Sequence, residues 1–157
     1  MKIFLSHKQQ DQSLALHVQQ RLETKHQIAC YLDVIDLALE RKGEDLAAYL
    51  RAQMAHCTHL IAVVSPATKQ SSWVPWEVGV ATERDMPLAT YSDGTRPLEF
   101  LEKWPYMMTM LQLDAYAVAT KNAEQIFENR SRTATASVAR SEATKQFYVR
   151  VRAALNQ

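Results

Sequence analysis

No stretch of this 157-residue chain approaches the ~18 consecutive apolar residues that a membrane-spanning helix requires. The apolar part of the opening Met1-Lys2-Ile3-Phe4-Leu5-Ser6-His7-Lys8 is too short for a secretory signal, and the expected location is cytoplasmic. Cysteine is also scarce: Cys30 and Cys57 are the only two. Both lie in apolar contexts, which predicts reduced core thiols rather than a disulfide framework. An excess of one charge is missing too. Eighteen Lys and Arg against 17 Asp and Glu leave a net +1, so no global field recruits nucleic acid or an anionic membrane. Only residues 121–157 are basic, with seven Lys and Arg against three Asp and Glu, which reads as a solvated final helix.

What remains is an ordinary globular composition, 47% apolar and 22% charged, long enough to bury one sizeable core. One domain is expected over residues 1–157. Ile3-Phe4-Leu5 reads as a short buried strand that delivers Ser6, His7 and Lys8 at its carboxyl end. Asp11 is placed to cap a helix carrying Leu14, Val18 and Leu22 at helical spacing. Residues 28–32 read as a second strand ending at Asp33, and 34–44 as a charged loop with Gly43 near its end. Leu46, Leu50 and Met54, with Tyr49 beside them, mark the buried stripe of the next helix. Leu60-Ile61-Ala62-Val63-Val64 is a continuous apolar run of the kind buried on both faces in a parallel sheet, and it ends in Ser65-Pro66. A helix is expected from near Ser72 to about Arg84, a fourth strand over 86–91 and a shorter fifth around 110–113.

Residues 128–141, poor in large apolar side chains, are expected to form a mobile loop. Residues 142–155 then form a C-terminal helix with Phe147, Val151, Ala154 and Leu155 facing inward. The alternation of strands and helices predicts an α/β, flavodoxin-like three-layer sandwich, with a central parallel sheet of about five strands and helices on both faces.

Right-handed crossovers put the functional rim at the carboxyl ends of the strands. Ser6, His7, Lys8, Asp33 and Ser65 are expected to converge there. The third strand is followed by Ser71-Ser72-Trp73-Val74-Pro75-Trp76-Glu77. Ser72 suits an N-cap, and Pro75 is tolerated where first-turn amides lack intrahelical partners. Trp73 and Glu77 are four residues apart and share a helix face, and a carboxylate near a helix N-terminus is favoured by the dipole. His56, Cys57 and His59 do not have the spacing of a four-ligand zinc site, so no metal is expected. Met107, Met108 and Met110 beside Trp104 and Tyr106 read as packing.

Four of these pieces, in order, resemble the TIR (Toll/interleukin-1 receptor) domain family. Phe4-Leu5-Ser6-His7-Lys8 is similar to its opening strand. Leu32-Asp33 and the charged loop to Gly43 look like its second strand and BB loop. Val63-Val64-Ser65-Pro66 resembles its third strand and exit, and Trp73-x-x-x-Glu77 matches its W-x-x-x-E motif. The resemblance covers residues 1 to about 91. It implies cleavage of NAD⁺, as substrate rather than cofactor, at the bond between nicotinamide and ribose, with Glu77 as the catalytic carboxylate. Ser6, His7, Lys8, Asp33, Ser65, Ser72 and Trp73 become the substrate-binding candidates. It also implies self-association through contacts between TIR domains and a separate effector that responds to the product. In size and layout the chain looks like bacterial stand-alone TIR proteins of antiphage systems such as Thoeris, which make a cyclic ADP-ribose messenger. It departs from the family in having only three glycines and a Glu-rich BB loop.

Three other readings stand beside this one. A TIR scaffold would act by homotypic contacts without catalysis. A phosphoacceptor receiver domain of similar topology needs an Asp where this chain has Ser65. A nucleoside deoxyribosyltransferase would use a carboxylate at the sheet ends on a different substrate.

Overall fold

The computed structural model of the protein describes residues 1–32, 44–94, 99–130 and 136–157. Five strands are present: β1 (Lys2–His7), β2 (Ala29–Leu32), β3 (His59–Val63), β4 (Leu88–Tyr91) and β5 (Tyr106–Met107). They form one sheet in the order β2-β1-β3-β4-β5, and every neighbouring pair is parallel. The described helices are α1 (Gln12–His26), α2 (Glu44–Ala55), α3 (Trp73–Glu83), α4 (Met110–Arg130) and α5 (Ala136–Leu155). This is the flavodoxin-like α/β arrangement expected from the strand–helix alternation. No described helix is long and apolar enough to cross a membrane.

Side chains that alternate along each strand build two cores. Ile3, Leu5, Ile61, Val63, Ala89 and Tyr91 face α1, α4 and α5, where Val18, Leu22, Leu113, Tyr116, Phe147 and Val151 meet them. Phe4, Leu60, Ala62, Val64 and Leu88 face the other way, against Leu46, Leu50 and Met54 of α2 and Val74, Val78 and Ala81 of α3. All five residues of β3 are buried, which accounts for its unbroken apolar run.

Several boundaries differ from those expected. The fifth strand is Tyr106–Met107, and the segment 110–113 opens α4 instead. Its short apolar run fits either period. The helix is selected because Leu113, Tyr116, Ala117 and Thr120 bury at helical spacing and the Thr109 hydroxyl accepts from the Gln112 amide at 3.2 Å. Helix α4 continues to Arg130 and α5 begins at Ala136, so of the expected loop 128–141 only 131–135 lie outside the described residues. Low apolar content does not remove helix propensity, and Ala, Glu and Arg are good helix formers. Ala154 is exposed, while Phe147, Val151 and Leu155 are buried as expected. Asp33, Gly43 and the charged loop between them lie outside the described residues.

Scarce glycine shows in the helix ends. Left-handed backbone is taken by Gln27 (φ 50°) after α1, Asp85 (φ 52°) after α3 and Asn156 (φ 57°) after α5. A non-glycine residue in this region costs about 1–2 kcal/mol. Hydrogen bonds to the terminal carbonyls offset it, as where the amides of Asn156 and Gln157 reach Ala153 and Arg152.

One polar cluster ties α1 to α4. The Asp114 carboxylate accepts from Arg21 Nε and Nη2 at 3.0 and 2.7 Å and from Lys25 Nζ at 2.8 Å, and it lies 2.7 Å from His26 Nε2. The Arg21 hydrogen bond, then His26 and Lys25, hold the Asp114 carboxyl well below the usual carboxylate range, against some opposition from burial. A folded-state pKa lowered in this way adds stability above the unfolded value, about 4, and that stability is lost as pH falls below it. Asp114→Asn is therefore expected to lower the urea midpoint at pH 7. The gap from wild type should close as pH drops from about 4 toward 2, as urea titrations at stepped pH will read.

Candidate functional site

The carboxyl ends of β1 and β3 and the first turns of α3 meet at one rim. Helix α3 buries Val74, Glu77, Val78 and Ala81, the i, i+3, i+4, i+7 stripe of an amphipathic helix laid on the sheet. One member of that stripe is a carboxylate. Glu77 is 0% exposed and accepts a hydrogen bond from the Ser6 hydroxyl, itself fully buried at the end of β1. Burying an ionisable acid costs stability unless partners restore its lost hydration, and an apolar side chain would serve packing better. A local rule broken inside an otherwise regular helix makes Glu77 a candidate functional residue.

Trp73, one turn earlier, is half-buried and packs against the core beneath α3, with its ring edge-on to Trp76 at 5.5 Å. Ser72 precedes the helix and is exposed, but its side chain makes no cap hydrogen bond. The neighbouring Ser71 hydroxyl accepts from the Val74 amide at 3.2 Å, so the cap sits one residue earlier than expected. Pro75 lies in the first turn, where its missing amide leaves no broken bond.

A second set of polar groups clasps the two strand exits together. Ser65 and Thr68 form a capping box around the 3₁₀ turn Pro66–Gln70: Ser65 Oγ accepts from the Ala67 amide at 3.1 Å, and Thr68 Oγ1 accepts from the Ser65 amide at 3.0 Å. The Thr68 hydroxyl also donates to Asp11 Oδ2 at 3.2 Å. Lys8 Nζ donates to the Ala67 carbonyl at 3.2 Å. Asp11 thus spends its carboxylate across the rim, not as the expected cap of α1. Thr68 had no motif to single it out.

His7 follows Ser6 in β1, and strand alternation turns it to the opposite face. It is buried, with Nδ1 3.3 Å from the Leu5 carbonyl, and burial pushes its pKa down and favours the neutral ring. The structure therefore joins Ser6 to Glu77, places Lys8 and Ser65 in the clasp, and leaves Asp33 outside the described residues. His59 is buried against Phe147, its pKa pushed down to about 4 by burial, while His56 is exposed, so the pair and Cys57 do not converge. Burial pushes the Cys30 thiol up to about 12.

Across the sheet the register aligns Ser6 with Ala62 and Ala62 with Thr90. A row of small side chains thus lies under α3, next to the large row Phe4, Leu60 and Leu88.

Residues 3–103 match the family model of the TIR domain. The match spans β1 to β4, α3 and the whole rim, and it stops before β5. No curated protein matches the chain.

The clasp yields a direct expectation. Ser65→Ala removes one cap acceptor and should cost about 1 kcal/mol of stability, read by urea denaturation.

Proposed function

The chain belongs to the TIR domain family, and from that premise we propose that it cleaves NAD⁺ at the nicotinamide–ribose bond with Glu77 as the catalytic carboxylate. The observation that carries this reading is the buried Glu77 of Trp73-x-x-x-Glu77, set in an apolar helix stripe and hydrogen-bonded to Ser6 at a central strand end. Ser6 stands on a central strand, and its hydrogen bond holds the carboxyl in one orientation while α3 lies on the sheet.

The chemistry asks little more of the protein. As the C1′–N bond breaks, its electron pair leaves with nicotinamide, a neutral leaving group that needs no strong acid. The ribose carbon is left with oxocarbenium character, as in glycoside hydrolysis. A carboxylate that hydrogen-bonds the ribose hydroxyls and faces the developing cation binds the transition state better than the ground state. Water then adds to the cation and loses a proton, which gives ADP-ribose. In a closed pocket a nitrogen of the adenine or a ribose hydroxyl of the same molecule adds instead, because a held nucleophile has a very large effective molarity. A cyclic ADP-ribose species of that kind would be the signal for a separate effector in bacterial immune signalling. Trp73 can wall the pocket, and Lys8, Ser72 and Ser65 lie on the rim with it. Asp33 and His7 remain candidates from the sequence.

The second reading is a non-catalytic TIR module that acts through homotypic contacts. The complete closure of Glu77 from solvent favours it.

Glu77→Gln keeps an acceptor for the Ser6 hydroxyl while removing the charge. Its fold should be retained and its NAD⁺ turnover should fall by about 10²–10³-fold, as when a preorganised stabilising group is lost. Chromatography of the products will separate nicotinamide with linear ADP-ribose from nicotinamide with a cyclic isomer. A folded Glu77→Gln protein with undiminished cleavage removes Glu77 from the chemistry, and a wild type that releases no nicotinamide leaves the scaffold reading.

Self-association is expected to raise activity, because a partner that favours the binding-competent state raises apparent affinity in proportion. Specific activity should therefore climb with protein concentration. The climb should flatten in Arg41→Glu with Lys42→Glu, which reverses two charges of the 34–44 loop that the family resemblance places at the contact between domains, and at high salt, where charge contacts are screened. A flat wild-type profile identifies a working monomer.

A further inference from the structure

Thr90 is 0% exposed in β4, yet its hydroxyl makes no hydrogen bond among the described residues. The other orphaned hydroxyls, of Tyr116 and Thr120, stand one turn apart on α4, where a small rotation lets each serve the other. Thr90 lies on the opposite side of the sheet. A central strand does not require a hydroxyl there: valine has the same shape, suits a strand and has no polar atom to leave unpaired. Buried polar atoms in native folds are normally satisfied, so an orphan of this kind marks a partner that is not part of the fold.

Its position suggests the partner. Thr90 shares the row Ser6–Ala62–Thr90 that runs beneath α3. At a strand spacing of about 4.8 Å it stands two strand widths, roughly 10 Å, from Ser6, the residue bonded to Glu77. Between them is Ala62, the smallest of the residues Leu60, Ala62 and Val64 that β3 and its exit present to this face. That span suits a ribose with an aromatic ring attached: the sugar at the Glu77 end, the ring over Ala62 and a polar ring substituent at Thr90. Glu77 on α3 and Thr90 on the sheet beneath it are both fully buried, so substrate reaches either one only when α3 is displaced from the sheet.

We propose that Thr90 is a substrate-contacting residue, whose hydroxyl pairs with the carboxamide of the nicotinamide ring while Glu77 takes the ribose. The inference rests on the NAD⁺-cleaving reading above and extends it to how the leaving group is recognised. It also explains why a group that costs the resting fold stability is kept.

Thr90→Val and Thr90→Ser separate this role from a structural one. Removing an orphaned hydroxyl while keeping its shape should leave the melting temperature of Thr90→Val equal to or above that of wild type. The same variant should raise KM for NAD⁺ about tenfold, the loss of one hydrogen bond to substrate. Thr90→Ser, which keeps the hydroxyl, should recover most of that loss. Binding of NAD⁺ measured by calorimetry in the Glu77→Gln background should weaken with Thr90→Val by a similar factor. A Thr90→Val protein that melts lower than wild type shows that the hydroxyl has a structural partner and overturns the proposal. One that melts normally and keeps wild-type KM and NAD⁺ affinity overturns it as well, while leaving the assignment of Glu77 intact. A wild type that neither binds nor cleaves NAD⁺ removes the functional reading itself, and Thr90 with it.

Discussion

A parallel sheet covered by helices on both faces has to be apolar on both, and β1 and β3 meet that demand along almost their whole length. Odd-numbered side chains of these strands feed the core under α1, α4 and α5, and even-numbered ones feed the core under α2 and α3. This two-sided burial leaves only the strand ends free to carry polar groups. It also holds those groups on backbone of a paired strand, as Ser6 is where β1 pairs it with Ala62 of β3. The precision of the rim follows from the burial of what lies below it.

Within that frame the polar residues at the rim divide by what they hold. Ser65, Thr68, Asp11 and Lys8 bond to one another and to backbone, and they bring the exits of β1 and β3 together. Glu77, with Ser6 beneath it, is different. It occupies a position in the stripe of α3 that packing alone would give to an aliphatic side chain. The orphaned Thr90 hydroxyl in the same layer departs from the packing rule in the same way. Two departures from the packing rule thus meet where α3 lies on the sheet. On the opposite face His7, Tyr116 and Thr120 are buried as well, and Asp114 gathers Arg21, Lys25 and His26 at the edge of the α1–α4 contact.

Much of this was legible in the sequence, because the strongest signals are local. The run from Leu60 to Val64, the spacing of Val18 and Leu22 and that of Leu46, Leu50 and Met54 each fix an element by what it must bury, and the order of elements fixes the fold class. Trp73-x-x-x-Glu77 stands out through its resemblance to the TIR motif, while it is the structure that sets Glu77 in the buried stripe with Val74, Val78 and Ala81. Where local signals are weak, the sequence admits more than one element. Residues 110–113 fit a strand or a helix, and Ala-, Arg- and Ser-rich segments form helix without an apolar period to announce it.

The sequence by itself determined the alternation of elements and the two-faced core, since each depends on neighbours a few residues apart, and its motif offered the Glu77 carboxylate as a candidate. Tertiary structure decided which hydroxyl meets that carboxylate, 71 positions away in the chain. It decided that Asp11 bonds Thr68 across 57 positions instead of capping its own helix, and that Asp114 gathers Arg21, Lys25 and His26 of α1. It also set Thr90 in register with Ser6 through Ala62. Such pairings are fixed by strand order and register, and no spacing along the chain encodes them, because a polar side chain finds its partner across space only after the apolar ones have chosen their layers.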